Sequence, residues 1–283
     1  MCMIDRFRRL YSKIYTLFGC ILKPYPSILE IHLADHCILN CYSCAHYSPI
    51  APKAFCNLKT LEKSLKRLSK MQESFYEIHL LGGEPLLNPD IVEAIRIVRK
   101  YFAKTEIQIV TNGILLPKMS NSFWEACRLC DILVSITIYP IEIEYDKLVS
   151  LCKKKFIKYK IFGDRSGTNW HCYKLNYYGK ASNCNLNYEK CWLKVCWQLK
   201  GDRIYSCPTS AYIDFINNKF GTHFKIRKND YLQVNKLFTK YQLRLFKFKA
   251  KPFCSYCIFP LQNMDWKLSE KNMEEWVCKS TIL

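Results

Sequence analysis

Three cysteines fall within eight residues, Cys37-Ile38-Leu39-Asn40-Cys41-Tyr42-Ser43-Cys44, directly after the apolar run Ile28–Leu33. Three thiolates on one tight loop can hold three corners of a four-iron cluster and leave the fourth iron open to a ligand that is not protein. A structural zinc or a closed cluster would want four protein ligands. The C-x3-C-x2-C spacing therefore points to an exposed, reactive iron. The chain has 17 cysteines in all, an odd number spaced unevenly, and no export signal is visible. That is a poor disulfide framework; in a reducing cytoplasm such cysteines bind metal or do chemistry. A cytoplasmic location is expected.

The rest of the chain can support such a site. With 49% hydrophobic and 14% aromatic residues it can bury a full core, which excludes extensive disorder. Nine Gly and 11 Pro exclude collagen-like and low-complexity classes. No apolar run is long enough to span a membrane. Residues 1–26 are basic and partly apolar, and read as an amphipathic helix capping the main domain, with membrane-surface contact as the alternative. The net charge of +19 would suit nucleic acid, a phosphorylated substrate or anionic lipid, but no block of five or six basic residues occurs.

From Ser27 to about Phe162 short apolar runs alternate with helical patterns. Strands are expected at Ile28–Leu33, Tyr76–Leu81, Glu106–Val110, Ile132–Ile138 and Phe156–Phe162. Leu58, Leu61, Leu65, Leu68 and Met71 form the stripe of an amphipathic helix. Asn88-Pro89 reads as the N-cap and first-turn proline of a helix ending near Phe102, and another helix is expected near Asp146–Lys154. Repeated strand–helix units imply a parallel sheet or barrel, with its active site at the C-terminal strand ends. After about Gly163 the alternation breaks into a cysteine-rich stretch that would need a metal to hold it.

Three further motifs follow at strand ends: Leu81-Gly82-Gly83-Glu84-Pro85 after the second, Thr111-Asn112-Gly113 after the third, and Ser135-Ile136-Thr137 in the fourth. Together with the cysteine triplet they resemble the radical S-adenosylmethionine (radical SAM) superfamily. The resemblance implies an α/β fold, a partial (β/α)6 TIM-like barrel, with a [4Fe–4S] cluster on Cys37, Cys41 and Cys44 that chelates S-adenosylmethionine. Gly82, Gly83, Glu84 and Pro85 would meet its amino group, and Thr111, Asn112, Ser135 and Thr137 would line its pocket. The family's aromatic before the third cysteine is here Ser43, preceded by Tyr42. His36–Ala51 further resembles a subgroup that accompanies bacterial surface-polysaccharide genes. His36 and His46 flank the loop as hydrogen-bonding residues.

In the second half, Cys191-x4-Cys196, the Lys200–Pro208 hairpin with Cys207, and Cys254-x2-Cys257 look like a SPASM or shortened twitch module holding an auxiliary [4Fe–4S] cluster. The expected ligands are Cys191, Cys207, Cys254 and Cys257, with Cys196 the substitute for Cys191 and a zinc site the alternative. The domains are then 1–26, a radical SAM core over 27–165 and a small Cys-rich auxiliary domain over 166–283. Cys127 and Cys130 read as inert core thiols.

The activity implied is reductive cleavage of S-adenosylmethionine to a 5′-deoxyadenosyl radical, which abstracts a hydrogen atom from a small molecule, a sugar, nucleotide-sugar or other glycan precursor. Oxidation, dehydration and epimerisation stay open. A peptide-modifying maturase is the alternative, and a zinc-stabilised nucleic-acid-binding protein the remote one. Flavodoxin or ferredoxin would supply the electron; no nucleic-acid partner is expected. No general base is identified.

Overall fold

The computed structural model describes residues 28–70, 75–168, 170–179, 183–236 and 240–279. The expected N-terminal helix over 1–26 and Met71 lie outside the described residues. Five strands alternating with four helices come first among the described residues. They are β1 (Ile28–Ala34), α1 (Leu58–Leu68), β2 (Glu77–Gly82), α2 (Ile91–Tyr101), β3 (Glu106–Thr111), α3 (Asn121–Leu129), β4 (Ile132–Thr137), α4 (Tyr145–Lys154) and β5 (Lys158–Phe162). The second half holds β6 (Trp170–Cys172), β7 (Leu175–Asn176), α5 (Cys184–Lys190), β8 (Cys196–Lys200), β9 (Arg203–Tyr205), α6 (Pro208–Ala211) and α7 (Ile213–Phe220). β10 (Tyr231–Gln233), α8 (Lys240–Phe248), β11 (Gln262–Met264) and β12 (Val277–Cys278) complete it.

One eight-stranded sheet runs β10-β9-β8-β1-β2-β3-β4-β5. The six strands from β8 to β5 are parallel, and β9 and β10 extend the β8 edge antiparallel. This is the partial TIM-like α/β fold expected from the strand–helix repeat. The break in alternation after Gly163 hides one member of it: β8 comes from the cysteine-rich half and pairs Ile28–Ile31 with Cys196–Leu199.

Local signals place the helices. Asn57 caps α1 by accepting Thr60 N at 3.0 Å, with Lys66 and Arg67 in the last turn. Ser120 does the same for α3 at Phe123 N, 3.3 Å. For α2 the cap is Asp90, not Asn88. Asn88 instead accepts Asp90 N at 2.7 Å and donates to Leu33 O at 2.6 Å, tying the turn to β1.

The two faces of the sheet differ in kind. Leu29, Ile31, Leu33, Ile78, Leu80, Ile107, Ile109, Val134, Ile136, Trp197 and Leu199 pack with Leu61, Leu65, Ala94, Ile95 and Phe123 of the helices. Each fully buried Leu or Ile there contributes about 1.5–3 kcal/mol. The alternate residues Glu30, His32, Glu77, His79, Gln108, Ser135 and Gln198 lie on the opposite face, because side chains alternate along a strand. Cys127 and Cys152 sit in the apolar core, as expected of structural thiols. A second core gathers Tyr47 with Tyr212, Phe253, Trp276 and Val277. Among the described residues no helix is long and apolar enough to cross a membrane.

Candidate functional site

β1 delivers the chain into the Cys37–Cys44 loop. The loop turns sharply at two left-handed residues, Asn40 (φ 53°) and Ser43 (φ 50°). Its backbone is held by the far end of the chain. Tyr42 N donates to Lys267 O (2.9 Å), Ser269 N to Asn40 O (2.8 Å), Trp170 Nε1 to Tyr42 O (2.7 Å) and Trp276 Nε1 to Cys44 O (3.0 Å). The loop is therefore assembled from both halves of the molecule.

The thiols suit iron. Burial pushes Cys37 up to about 12 and raises Cys41 and Cys44 as well. Without metal they are neutral; a coordinating metal deprotonates them outright. Cys37 Sγ accepts Leu39 N at 3.4 Å and Asn112 Nδ2 at 3.8 Å. The phenol of Tyr139 and the indole of Trp266 face Cys41, and Trp266 Nε1 is buried with no hydrogen-bond partner. It is a donor left for a thiolate or sulfide.

Gly82 and Gly83 serve the loop itself. A Cβ on Gly83 would fall 2.1 Å from His36 O, and one on Gly82 2.1 Å from Ala34 O, with φ at +141°. The closeness lets Gly83 N bond Ala34 O (2.8 Å) and Glu84 N bond His36 O (3.1 Å). Glu84 is fully buried. Its carboxylate accepts Thr111 Oγ1 (2.7 Å), Asn112 N (3.1 Å) and Leu86 N (3.2 Å), joining the end of β2 to the end of β3. Burial pushes it up to about 7, against the pull of those three donors. Pro85 opens the short helix that follows. Ser135 and Thr137 lie on one face of β4, the face opposite the helices.

His46 and His32 are bonded ring to ring (Nε2 of His32 to Nδ1 of His46, 2.7 Å), with Asp35 3.1 Å from the other side of His32. Burial pushes His46 down to about 4. Tyr212 stacks on His32 at 3.7 Å between ring centres. Deeper along the same face, Glu77 meets His79 (2.7 Å) and Gln108 (2.8 Å), and Gln198 donates to Glu30. The sequence reading missed this polar layer, although Glu30 and His32 alternate with Leu and Ile inside an otherwise apolar strand.

The strongest juxtaposition lies in the second half. Cys191, Cys207, Cys254 and Cys257 all line one cavity, with Tyr188, Asn187 and Lys251; Cys196 does not line it and is buried within β8. Asn187 Nδ2 donates to Cys254 O and Cys257 O, both at 2.9 Å, fixing the C-x2-C turn against α5. Cys207 Sγ lies 3.1 Å from Thr209 Oγ1. Burial pushes Cys191 and Cys254 up to about 12 and raises Cys257 further. Among the described residues no three His, Cys, Asp or Glu side chains converge tightly enough for a single metal ion. A cluster that gives each thiolate its own iron asks for a wider spread, around a void.

The model of the Radical SAM superfamily matches residues 31–156, from β1 through α4. This segment, a little under half of the chain, is similar to the radical SAM superfamily. The human Molybdenum cofactor biosynthesis protein 1 is 35% identical over 124 residues, 42% of this chain and 19% of the human protein. The GTP 3′,8-cyclase of Microcystis aeruginosa is 32% identical over 104 residues, 35% of this chain and 31% of that one. The match thus spans less than a third of either relative. In the solved structures, BtrN in complex with AdoMet and 2-DOIA aligns with TM-score 0.54 and 13% identity, over 82% of this chain and 93% of that one. That is a likeness of fold, and at 82% of the chain it reaches into the cysteine-rich half.

Proposed function

We propose that this is a two-cluster radical SAM enzyme that removes a hydrogen atom from a small, hydroxyl-rich substrate, a sugar or nucleotide-linked sugar. Cys37, Cys41 and Cys44 would hold the cluster that binds S-adenosylmethionine. Thr111, Asn112, Ser135, Thr137 and the Gly82–Pro85 turn would shape the cofactor's pocket. Cys191, Cys207, Cys254 and Cys257 would hold an auxiliary [4Fe–4S] cluster in a twitch-like module over residues 166–283. When bound, the first cluster supplies the electron for reductive cleavage of S-adenosylmethionine.

The observation that carries the reading is the gathering of those four distal cysteines around one cavity, apart from the triplet on the β1 loop. This chain's own residues then have distinct tasks. Glu84 sets the spacing of two strand ends. Tyr139, Trp170 and Trp266 form an aromatic wall beside Cys41, with ring centres about 6 Å apart, and exclude water from the reacting atoms. Glu30, His79, Gln108 and Gln198 offer acceptors and donors of the kind that bind hydroxyl groups. A small-molecule substrate is favoured further by two comparisons: the relatives named for acting on GTP, and the fold shared with a protein described with 2-DOIA. The net charge of +19 suits a phosphorylated one.

The test is iron and acid-labile sulfide per chain after anaerobic reconstitution, for the wild type and for Cys37/Cys41/Cys44→Ala. About eight iron, falling to about four in the triple variant, is expected. Release of 5′-deoxyadenosine should then depend on a member of a nucleotide-sugar panel. About four iron, lost entirely in the variant, removes the auxiliary cluster from the reading. Zinc with no iron overturns it.

A further inference from the structure

A lysine withdrawn from water favours an anion beside it, because an ammonium group buried without a counter-charge is costly. Lys251 is 2% exposed and lines the cavity of Cys191, Cys207, Cys254 and Cys257. Its Nζ donates to the carbonyls of Phe246 and Lys249, and lies 4.0 Å from the ring centre of Phe246 and 5.2 Å from that of Tyr188. Among the described residues no carboxylate lies within ion-pair distance of it.

The acid that faces it from further off is Asp230, whose oxygens are committed to Phe253 N (2.7 Å) and Arg227 N (2.6 Å). Lys249 adds a like charge. Capping the carbonyls at the end of α8 accounts for two hydrogen bonds. A lysine at the surface caps equally well, so capping does not account for the burial. Cations over aromatic faces gain far less than a full counter-ion supplies. What remains within the cavity is the ring of thiols. Four thiolates around a [4Fe–4S] core leave the assembly net negative.

We propose that Lys251 is the fixed counter-charge of an auxiliary iron–sulfur cluster on Cys191, Cys207, Cys254 and Cys257, and that it raises the reduction potential of that cluster. The inference rests on the two-cluster reading above. Reduction adds one electron and one unit of negative charge to the cluster. A fixed cation alongside stabilises the reduced form more than the oxidised one, and low dielectric strengthens the effect. Lys251 acts here as a positioning residue and touches no substrate.

The experiment uses the full chain carrying Cys37/Cys41/Cys44→Ala, so that any iron present belongs to the second site. That parent is compared with Lys251→Met and Lys251→Arg in the same background. Iron and sulfide are measured, and then the midpoint potential by electron paramagnetic resonance during titration with dithionite and mediators. The expected result is about four iron in each. The reduced-to-oxidised ratio at a fixed potential should fall tenfold or more in Lys251→Met, about 59 mV for a one-electron couple, and should be restored in Lys251→Arg. Iron lost from Lys251→Met but kept in Lys251→Arg also supports the role, since the charge is then needed for assembly. Equal potentials in all three overturn it and leave the cluster standing. Iron lost from both lysine variants also overturns it, because packing and not charge is then what the lysine supplies. A parent without iron sinks the two-cluster reading itself.

Discussion

Glu84 Oε1 accepts the hydroxyl of Thr111 at 2.7 Å inside the protein, and its other oxygen accepts Asn112 N at 3.1 Å. The GGEP turn therefore spends its carboxylate on fixing the end of β3, with the side chain wholly removed from solvent. Desolvation outweighs the three donors and raises the carboxyl from 4.5 to about 7. A carboxyl with a raised folded-state pKa binds its proton more readily in the folded chain. Its stabilisation is complete below about pH 4.5 and is lost as pH rises through 7. At 1.36 kcal/mol per unit this is about 3 kcal/mol. In the iron-free chain, the stability difference between wild type and Glu84→Gln by urea unfolding should change by that order between pH 4.5 and 7.5. A difference that stays flat with pH contradicts the assignment.

Gly83→Ala should be far more damaging than Gly201→Ala. At Gly83 the new Cβ meets backbone, 2.1 Å from His36 O and 2.3 Å from His36 C, so the loop that carries Cys37 must move. At Gly201 nothing lies within 4 Å, and only the left-handed φ of 61° is strained, at about 1–2 kcal/mol. Reconstituted iron should fall by about half or more in Gly83→Ala and stay at the wild-type level in Gly201→Ala. Equal iron in the two variants would show that the close approach is not needed.

Asn187→Ala removes two 2.9 Å hydrogen bonds to the carbonyls of Cys254 and Cys257. Leaving such groups unpaired costs about 1–3 kcal/mol, or a lowering of Tm by several degrees in a chain of this size. Calorimetry checks the stability. The C-x2-C turn should also lose iron faster during desalting, while the triplet on the β1 loop keeps its own.

Cys191→Ser and Cys196→Ser separate two neighbouring cysteines. Cys191 lines the cavity, whereas Cys196 lies in β8 with 5% exposure. Iron should drop from about eight to about four per chain in Cys191→Ser. In Cys196→Ser it should stay near eight, with a small loss of stability from a hydroxyl in the core. The reverse pattern would exchange their roles.

Much of the core was legible because its signals are local. β1 to β5 and the helices α1, α2 and α4 each appear within a few residues of the expected positions, since a parallel strand covered by helices reads as a short apolar run. β8 was not legible. Its sequence, Cys-Trp-Gln-Leu-Lys, alternates between a helix-covered face and a polar inner face, and only Trp197 and Leu199 join the main core. Such a mixture of types in five residues has no period long enough to recognise. Asn88 shows a smaller version of the same difficulty: its side chain caps a turn and reaches β1, and the helix takes its cap two residues later, at Asp90, and begins at Ile91.

By itself the sequence determined the spacing of the triplet, its place after β1, and the strand-end motifs, because spacing along a loop is a property of the chain alone. It also narrowed the second set of thiols to five cysteines. Tertiary structure decided which of them share a cavity, by setting Cys196 into a strand and leaving Cys191 at the end of α5. It decided that Trp276 and Lys267, more than 220 residues away in sequence, hold the Cys37–Cys44 loop. It also placed Lys251 beside the thiols. Contacts between distant segments depend on how sheets and helices pack in space, and no local pattern encodes that.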